Sequence, residues 1–258
     1  MAIVLVALVG LSTRITASVS SQGLSSIPDL FGVNAILWFA LYAIVMLGLQ
    51  DRGSEPVRKL DYWAAGGIVL ACALPTQLPA LGALLVVSAY LLFTSNGCRG
   101  ARGIGVIGLA LTGPLLWGSL VLRVLGPELL GFDAALGALL SGHEVSGNVI
   151  STPDGSGDVM IGPGCSAFKN VTLVFVLTAT LTRLFDIPVD RKLAMWMGLA
   201  VIITMLINGI RIASLTLYPE HFDYLHTGGG MVLFGYATLL AMAVILGSAI
   251  MRRQSDAV

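Results

Sequence analysis

The sequence predicts an all-α polytopic membrane protein of about eight transmembrane helices, with a further helix in the outer interface and a small hairpin-like loop. Three observations predict it. Of 258 residues, 56% are hydrophobic and 11% charged, and the mean hydropathy of +0.91 is far above that of a soluble chain. Uncharged stretches recur at roughly the length a helix needs to cross a ~30 Å hydrocarbon core. Basic residues gather in alternate connections.

In chain order, residues 1–13 form a short apolar segment ended by Arg14. It lacks the basic leader and small-x-small cleavage site of a signal peptide, so we expect it to be retained as a span. Residues 31–49 form the next. Residues 62–98 carry no charge and are too long for one helix, and Pro75 and Pro79 around Thr76-Gln77 predict a helical hairpin. Residues 103–122 follow as a single span.

The longest connection covers 123–163. Its start, Val124-Leu125-Gly126-Pro127-Glu128-Leu129-Leu130-Gly131-Phe132-Asp133-Ala134-Ala135-Leu136, spaces apolar residues as a helix lying in the interface does. Residues 145–159 mix β-branched residues with Gly, Asn, Asp and Pro, which predicts a small hairpin able to shield a site from water. Three more spans, 170–182, 193–210 and 227–251, complete the chain. We read one integral-membrane domain, with amino-terminal spans in 1–102 and the candidate chemistry in 103–258.

Sidedness follows from charge. Arg52, Arg58 and Lys59, then Arg99 and Arg102, then Arg183, Arg191 and Lys192, and finally Arg252 and Arg253 mark the cytoplasmic connections of a multi-pass protein of the plasma (inner) membrane. The other loops carry Asp29, Glu128, Asp133, Glu144, Asp154, Asp158, Glu220 and Asp223, and are expected to face outward. Cys165 precedes an inward-running span, Arg211 ends an outward-running one and His226 starts the last inward-running helix. All three are therefore expected near the outer surface. A net charge of zero gives no basic footprint for nucleic acid, and three cysteines are too few and scattered for a disulfide framework.

Each candidate has a plain and a chemical reading. Gly162-Pro163-Gly164 turns the chain tightly into Cys165, expected at a helix start, where open amides and the helix dipole favour negative charge and suit an oxyanion. The plain reading is a small cysteine packed at a helix end, which also suits Cys72 and Cys98. Arg211 closes a long apolar run, where an arginine costs about 2.5–3.5 kcal/mol at a bilayer centre and less near an interface. It either snorkels to water or stabilises an oxyanion or substrate. Asn208 shares its face at i, i+3 and is expected to orient Arg211 or an imidazole. His226 either caps the last helix or activates a thiol. Ser166 is a rival nucleophile without a G-x-S-x-G elbow, and is placed with Asn208 in a supporting role. His143, Glu144 and His221 show no standard ligand spacing, so neither metal nor cofactor is expected.

Cys165-Ser166, Asn208-Gly209-Ile210-Arg211 and the following His226 resemble the signature of the exosortase and archaeosortase family of polytopic membrane cysteine transpeptidases. The resemblance runs over residues 129–234; the first hundred residues match only as hydrophobic spans. It implies Cys165 as nucleophile, Arg211 as oxyanion stabiliser and His226 as general base and acid. It also implies membrane-anchored protein substrates bearing a carboxy-terminal sorting signal, namely a short motif, a hydrophobic helix and a basic tail. Transfer to a surface glycan or lipid acceptor is the further implied step. One departure is Ala167, where many relatives carry glycine. The rival readings are a membrane transporter and a noncatalytic scaffold of a surface-polymer export system.

Overall fold

The computed structural model describes residues 2–27, 30–51, 58–95, 98–151 and 158–256. Asp29, Arg52 and Asp154 of the charge pattern, and 152–157 of the expected hairpin, lie outside the described residues. The fold is all-α and polytopic, 83% helical, with one small sheet. Large apolar side chains such as Trp63 at 80%, Phe93 at 75% and Leu240 at 65% exposure point away from the protein, which suits lipid surroundings and not water.

Two compact units divide the chain: 1–117 with 175–188, and 118–174 with 189–258. The first holds α1 (Ala2–Gln22), α2 (Ala35–Gln50), α3 (Lys59–Ala73), α4 (Gln77–Thr94) and α5 (Arg99–Thr112), then a wide π turn at Gly113–Trp117. The expected hairpin is present. α3 stops before Pro75, and Pro79 falls in the first turn of α4, where its missing amide donor costs little. α1 runs past Arg14 to Gln22 with Arg14 exposed, and the hydroxyls of Ser12, Ser20 and Ser21 bond back to its own carbonyls.

α5 packs on α4 and α2 through a stripe of small residues. A Cβ on Gly105 would lie 2.8 Å from the Ser88 carbonyl oxygen and the Leu92 nitrogen of α4, so the two backbones approach as only glycine permits. The start of α5 is held by Asp51, whose Oδ2 accepts from the Ala101 amide at 2.9 Å and the Cys98 thiol at 2.8 Å.

The second unit holds α6 (Gly118–Val124), α7 (Gly126–Ser141), β1 (Glu144–Ser146), β2 (Val149–Ser151), β3 (Val159–Met160), the start of α8 (Phe168–Leu184), α9 (Arg191–Leu217), α10 (Phe222–His226) and α11 (Gly229–Asp256). The strands form an antiparallel sheet in the order β1-β2-β3, with Val145 opposite Ile150 and Ile150 opposite Val159. The expected hairpin thus appears with one more strand.

α7 packs along the carboxy-terminal half of α9. Asp133 meets Asn208, and one turn further along both helices Gly137 meets Ile212, so the two run in the same direction at this contact. α9 and α11 are fastened near the start of α9, where Asp190 pairs with Arg253 and Arg252 lies 5.4 Å over the Trp196 ring.

By length and composition, five helices among the described residues suffice to cross a membrane: Ala2–Ser21, Gln77–Thr94, Arg99–Val124, Arg191–Leu217 and Gly229–Ser255; Ala35–Gln50 is a shorter apolar helix. α3 and α8 fill the two other stretches expected to span but are shorter than these five, so the count of eight is not confirmed.

Candidate active site

Four of the candidate residues, Cys165, Ser166, Asn208 and Arg211, meet at the turn that precedes α8, and the local chain explains why the turn stays a turn. The Cys165 amide donates to the Gly162 carbonyl at 2.9 Å, and the hydroxyl of Ser166 accepts from the Phe168 amide at 3.2 Å. Ser166 thereby satisfies the first amide of α8, which begins only at Phe168. This corrects the expectation that Cys165 sits at the helix start. Its own amide is engaged in the turn, and the amides of Ala167 and Phe168 are taken by Asp133 and the Ser166 hydroxyl.

Cys165 is 5% exposed. It packs in an apolar cluster with Leu130, Ala134 and Ala138 of α7, Ile212 of α9, and Ile150 and Ile161 of the sheet region. Ile150 of β2 and Ile161, just past β3, share this buried cluster with Cys165. Ile150, Ile161 and Ile212 are each fully buried, and burial of such a side chain contributes about 1.5–3 kcal/mol.

The main-chain carbonyl of Cys165 is the meeting point of the polar groups. Asn208 Nδ2 donates to it at 2.9 Å and Arg211 Nη2 at 3.1 Å, both from one face of α9. The i, i+3 spacing anticipated from the sequence therefore brings both donors to one acceptor. Arg211 is half-buried, and its Nε is buried without a hydrogen-bond partner among the described residues.

Beneath this turn lies a residue that sequence reasoning read only as part of an acidic outer loop. Asp133 is 4% exposed. Its carboxylate accepts from the Ala167 amide at 3.2 Å and from Asn208 Nδ2 at 3.3 Å, and it bonds to the Ser166 hydroxyl. Burial pushes its carboxyl above the usual carboxylate range, opposed by those hydrogen bonds and by the nearby Arg211 charge.

His226 is half-buried at the end of α10, its ring stacked on Phe222 at 5.1 Å between centroids. Among the described residues its side chain makes no hydrogen bond, so it is not joined to Cys165 or Arg211. The expectation that it starts the last helix is corrected too: α11 begins at Gly229. Between α10 and α11 the chain passes so close to itself that a Cβ on Gly228 would lie 3.0 Å from the Tyr224 backbone, a tight contact that glycine avoids.

A family model described as transmembrane exosortase matches residues 3–243. The chain belongs to the transmembrane exosortase family. Members of the family are generally cysteine-type transpeptidases that act on substrates bearing sorting signals, and this exosortase is accordingly a multi-pass membrane protein. No curated protein and no solved structure matches the chain significantly. The match extends over the amino-terminal helices, which resemble the family in sequence only as hydrophobic spans.

Cys72 is half-buried in α3, and Cys98 is tied to Asp51; both lie in the first compact unit, while Cys165 lies in the second. Among the described residues of the exosortase no group of three or more His, Cys, Asp or Glu side chains could hold a metal ion. His143 lies just past the end of α7 with Nδ1 buried and, among the described residues, unpartnered, and His221 ends a short 3-10 turn before α10.

Proposed function

We propose that this exosortase is a cysteine endopeptidase and transpeptidase of the plasma membrane. It cuts the carboxy-terminal sorting signal of surface-bound proteins, with its site on the outer face, and passes them to a surface glycan or lipid acceptor. One observation carries the reading: Asn208 and Arg211 converge on the Cys165 main chain, and Arg211 keeps a buried donor, Nε, without a partner among the described residues. A buried, unpaired donor is costly, and a developing negative oxygen on substrate is the partner that relieves it.

In the mechanism His226 takes the proton of the Cys165 thiol, and the sulfur attacks the carbonyl carbon of the scissile amide. Arg211 stabilises the tetrahedral oxyanion. Collapse breaks the carbon–nitrogen bond; the leaving amine takes the proton from His226, and the substrate remains as a thioester on Cys165. The acceptor nucleophile, or water, then attacks the thioester carbonyl, its proton passing to His226 and on to the departing thiolate. Asn208 and Ser166 hold the turn and take no part in bond making.

The near-complete burial of Cys165 favours a second reading, a noncatalytic scaffold in which this cysteine only packs. Mass spectrometry of surface and secreted protein carboxy termini separates the two, comparing cells that express the wild type and Cys165→Ala at equal abundance. Discrete truncations that vanish in the variant support the enzyme. Identical termini in both remove the nucleophile assignment and leave transport or scaffolding.

A further inference from the structure

Asp133 is the buried charge that the proposed mechanism does not use. It stands on α7, separate from both segments that carry the reactive residues, and each of its partners adjoins one of those residues. Ser166 and Ala167 directly follow Cys165, and Asn208 lies one helical turn before Arg211. The Ala167 amide reaches both carboxylate oxygens, at 3.3 and 3.2 Å. Asn208 Nδ2 is shared between Asp133 Oδ1 and the Cys165 carbonyl, so the same amide group reads the position of both.

This arrangement needs an acceptor-only group. A carboxylate offers its lone pairs to several donors at once, whereas the amide of asparagine would turn donors of its own toward the Ala167 amide, the Ser166 hydroxyl or the Asn208 amide. Burying a charge is unfavourable unless hydrogen bonds surround it. Asp133 is surrounded by them, and they belong to the two segments whose separation sets the geometry of the site.

We propose that Asp133 is a positioning residue that locks the Cys165-Ser166-Ala167 turn to α9, setting the placement of Cys165 relative to Arg211. It acts through Ala167, Ser166 and Asn208 and touches no reacting atom. The proposal rests on Cys165 and Arg211 being the reactive pair. Sites held loosely by their supporting shell lose rate without losing the residues that react.

The test uses full-length protein in native membranes, with two readouts. One is the processing of surface-protein carboxy termini. The other is the rate at which a membrane-permeant maleimide alkylates Cys165, followed at that cysteine by peptide mass spectrometry. Asp133→Asn is expected to slow processing about tenfold or more and speed Cys165 alkylation about tenfold, with membrane abundance within about twofold of wild type. Asp133→Glu, which restores the acceptor-only group, is expected to recover most of both.

Wild-type processing and alkylation in Asp133→Asn overturn the proposal. So does equal depletion of Asp133→Asn and Asp133→Glu from the membrane, which assigns Asp133 to folding alone. Processing that persists in Cys165→Ala sinks the peptidase reading instead, and the alkylation arm still decides whether Asp133 fixes the turn.

Discussion

Arg211 reaches Cys165 through the main chain: its Nη2 donates to the cysteine carbonyl at 3.1 Å, and its Nε remains buried without a partner among the described residues. A guanidinium can do both because its donors lie in a rigid plane. A lysine offers one compact ammonium, which can serve the carbonyl or a substrate oxygen but not both with this geometry. Arg211→Lys is therefore expected to lose nearly as much processing as Arg211→Ala, about 10²–10³-fold, by quantitative mass spectrometry of cleaved termini. Near wild-type rates in the lysine variant would show that charge alone suffices.

Asn208 is buried, and its amide serves two acceptors. Asn208→Leu keeps the bulk but leaves the Asp133 carboxylate and the Cys165 carbonyl each short of a donor, an expected loss of about 1–3 kcal/mol. Asn208→Asp places a second carboxyl against the first and should cost more. Thermal unfolding in detergent gives the order wild type, leucine variant, aspartate variant; a reversed order of the two variants contradicts the hydrogen-bond assignment.

Gly137 of α7 lies so close to α9 that an added methyl group would overlap the Ile212 side chain, whose Cβ would be 3.0 Å away. Gly137→Ala is expected to destabilise by about 1–3 kcal/mol through overpacking and to lower processing, because Ile212 adjoins Arg211 in sequence. Gly198→Ala, in α9 with nothing within 4 Å of the new carbon, should be neutral or stabilising by about 0.5–1 kcal/mol. Equal melting temperatures for the two variants would show that the α7–α9 contact is looser than described.

Asp190 caps α9 by accepting from the Leu193 amide at 2.9 Å, and it also pairs with Arg253. The Leu193 amide, foremost, and Arg253 hold its carboxyl below the usual carboxylate range, with exposure limiting the effect. A depressed carboxylate stabilises the fold above its unfolded value, and the contribution is lost as pH falls through the folded value. Asp190→Asn keeps a capping side chain and removes the charge. Its melting temperature should fall below wild type at neutral pH and converge with it in acid; a gap that persists in acid would assign the effect to something other than this titration.

The helices were readable because a hydrocarbon core demands long uncharged runs, and charge marks where those runs stop. That criterion measures membrane thickness and not helix length, which is why α1 continues past Arg14 to Gln22 on backbone hydrogen bonds that ignore side-chain polarity. The Cys165, Asn208 and Arg211 cluster was readable from motif order and helical spacing. Asp133 was not, since an isolated aspartate in an apolar connection looks solvated, and its partner Asn208 lies in another helix far along the chain. Nor was the break after His226, which depends on how closely Gly228 approaches Tyr224.

The cradle around position 165 is made of peptide groups: the amide bonds Gly162, and the carbonyl receives Asn208 and Arg211. None of these bonds involves sulfur, so an alanine at 165 leaves the cradle intact and removes only the sulfur. Under the proposed function such a chain should still recruit its substrates yet hold them uncut, which makes it bait for isolating native clients from the envelope.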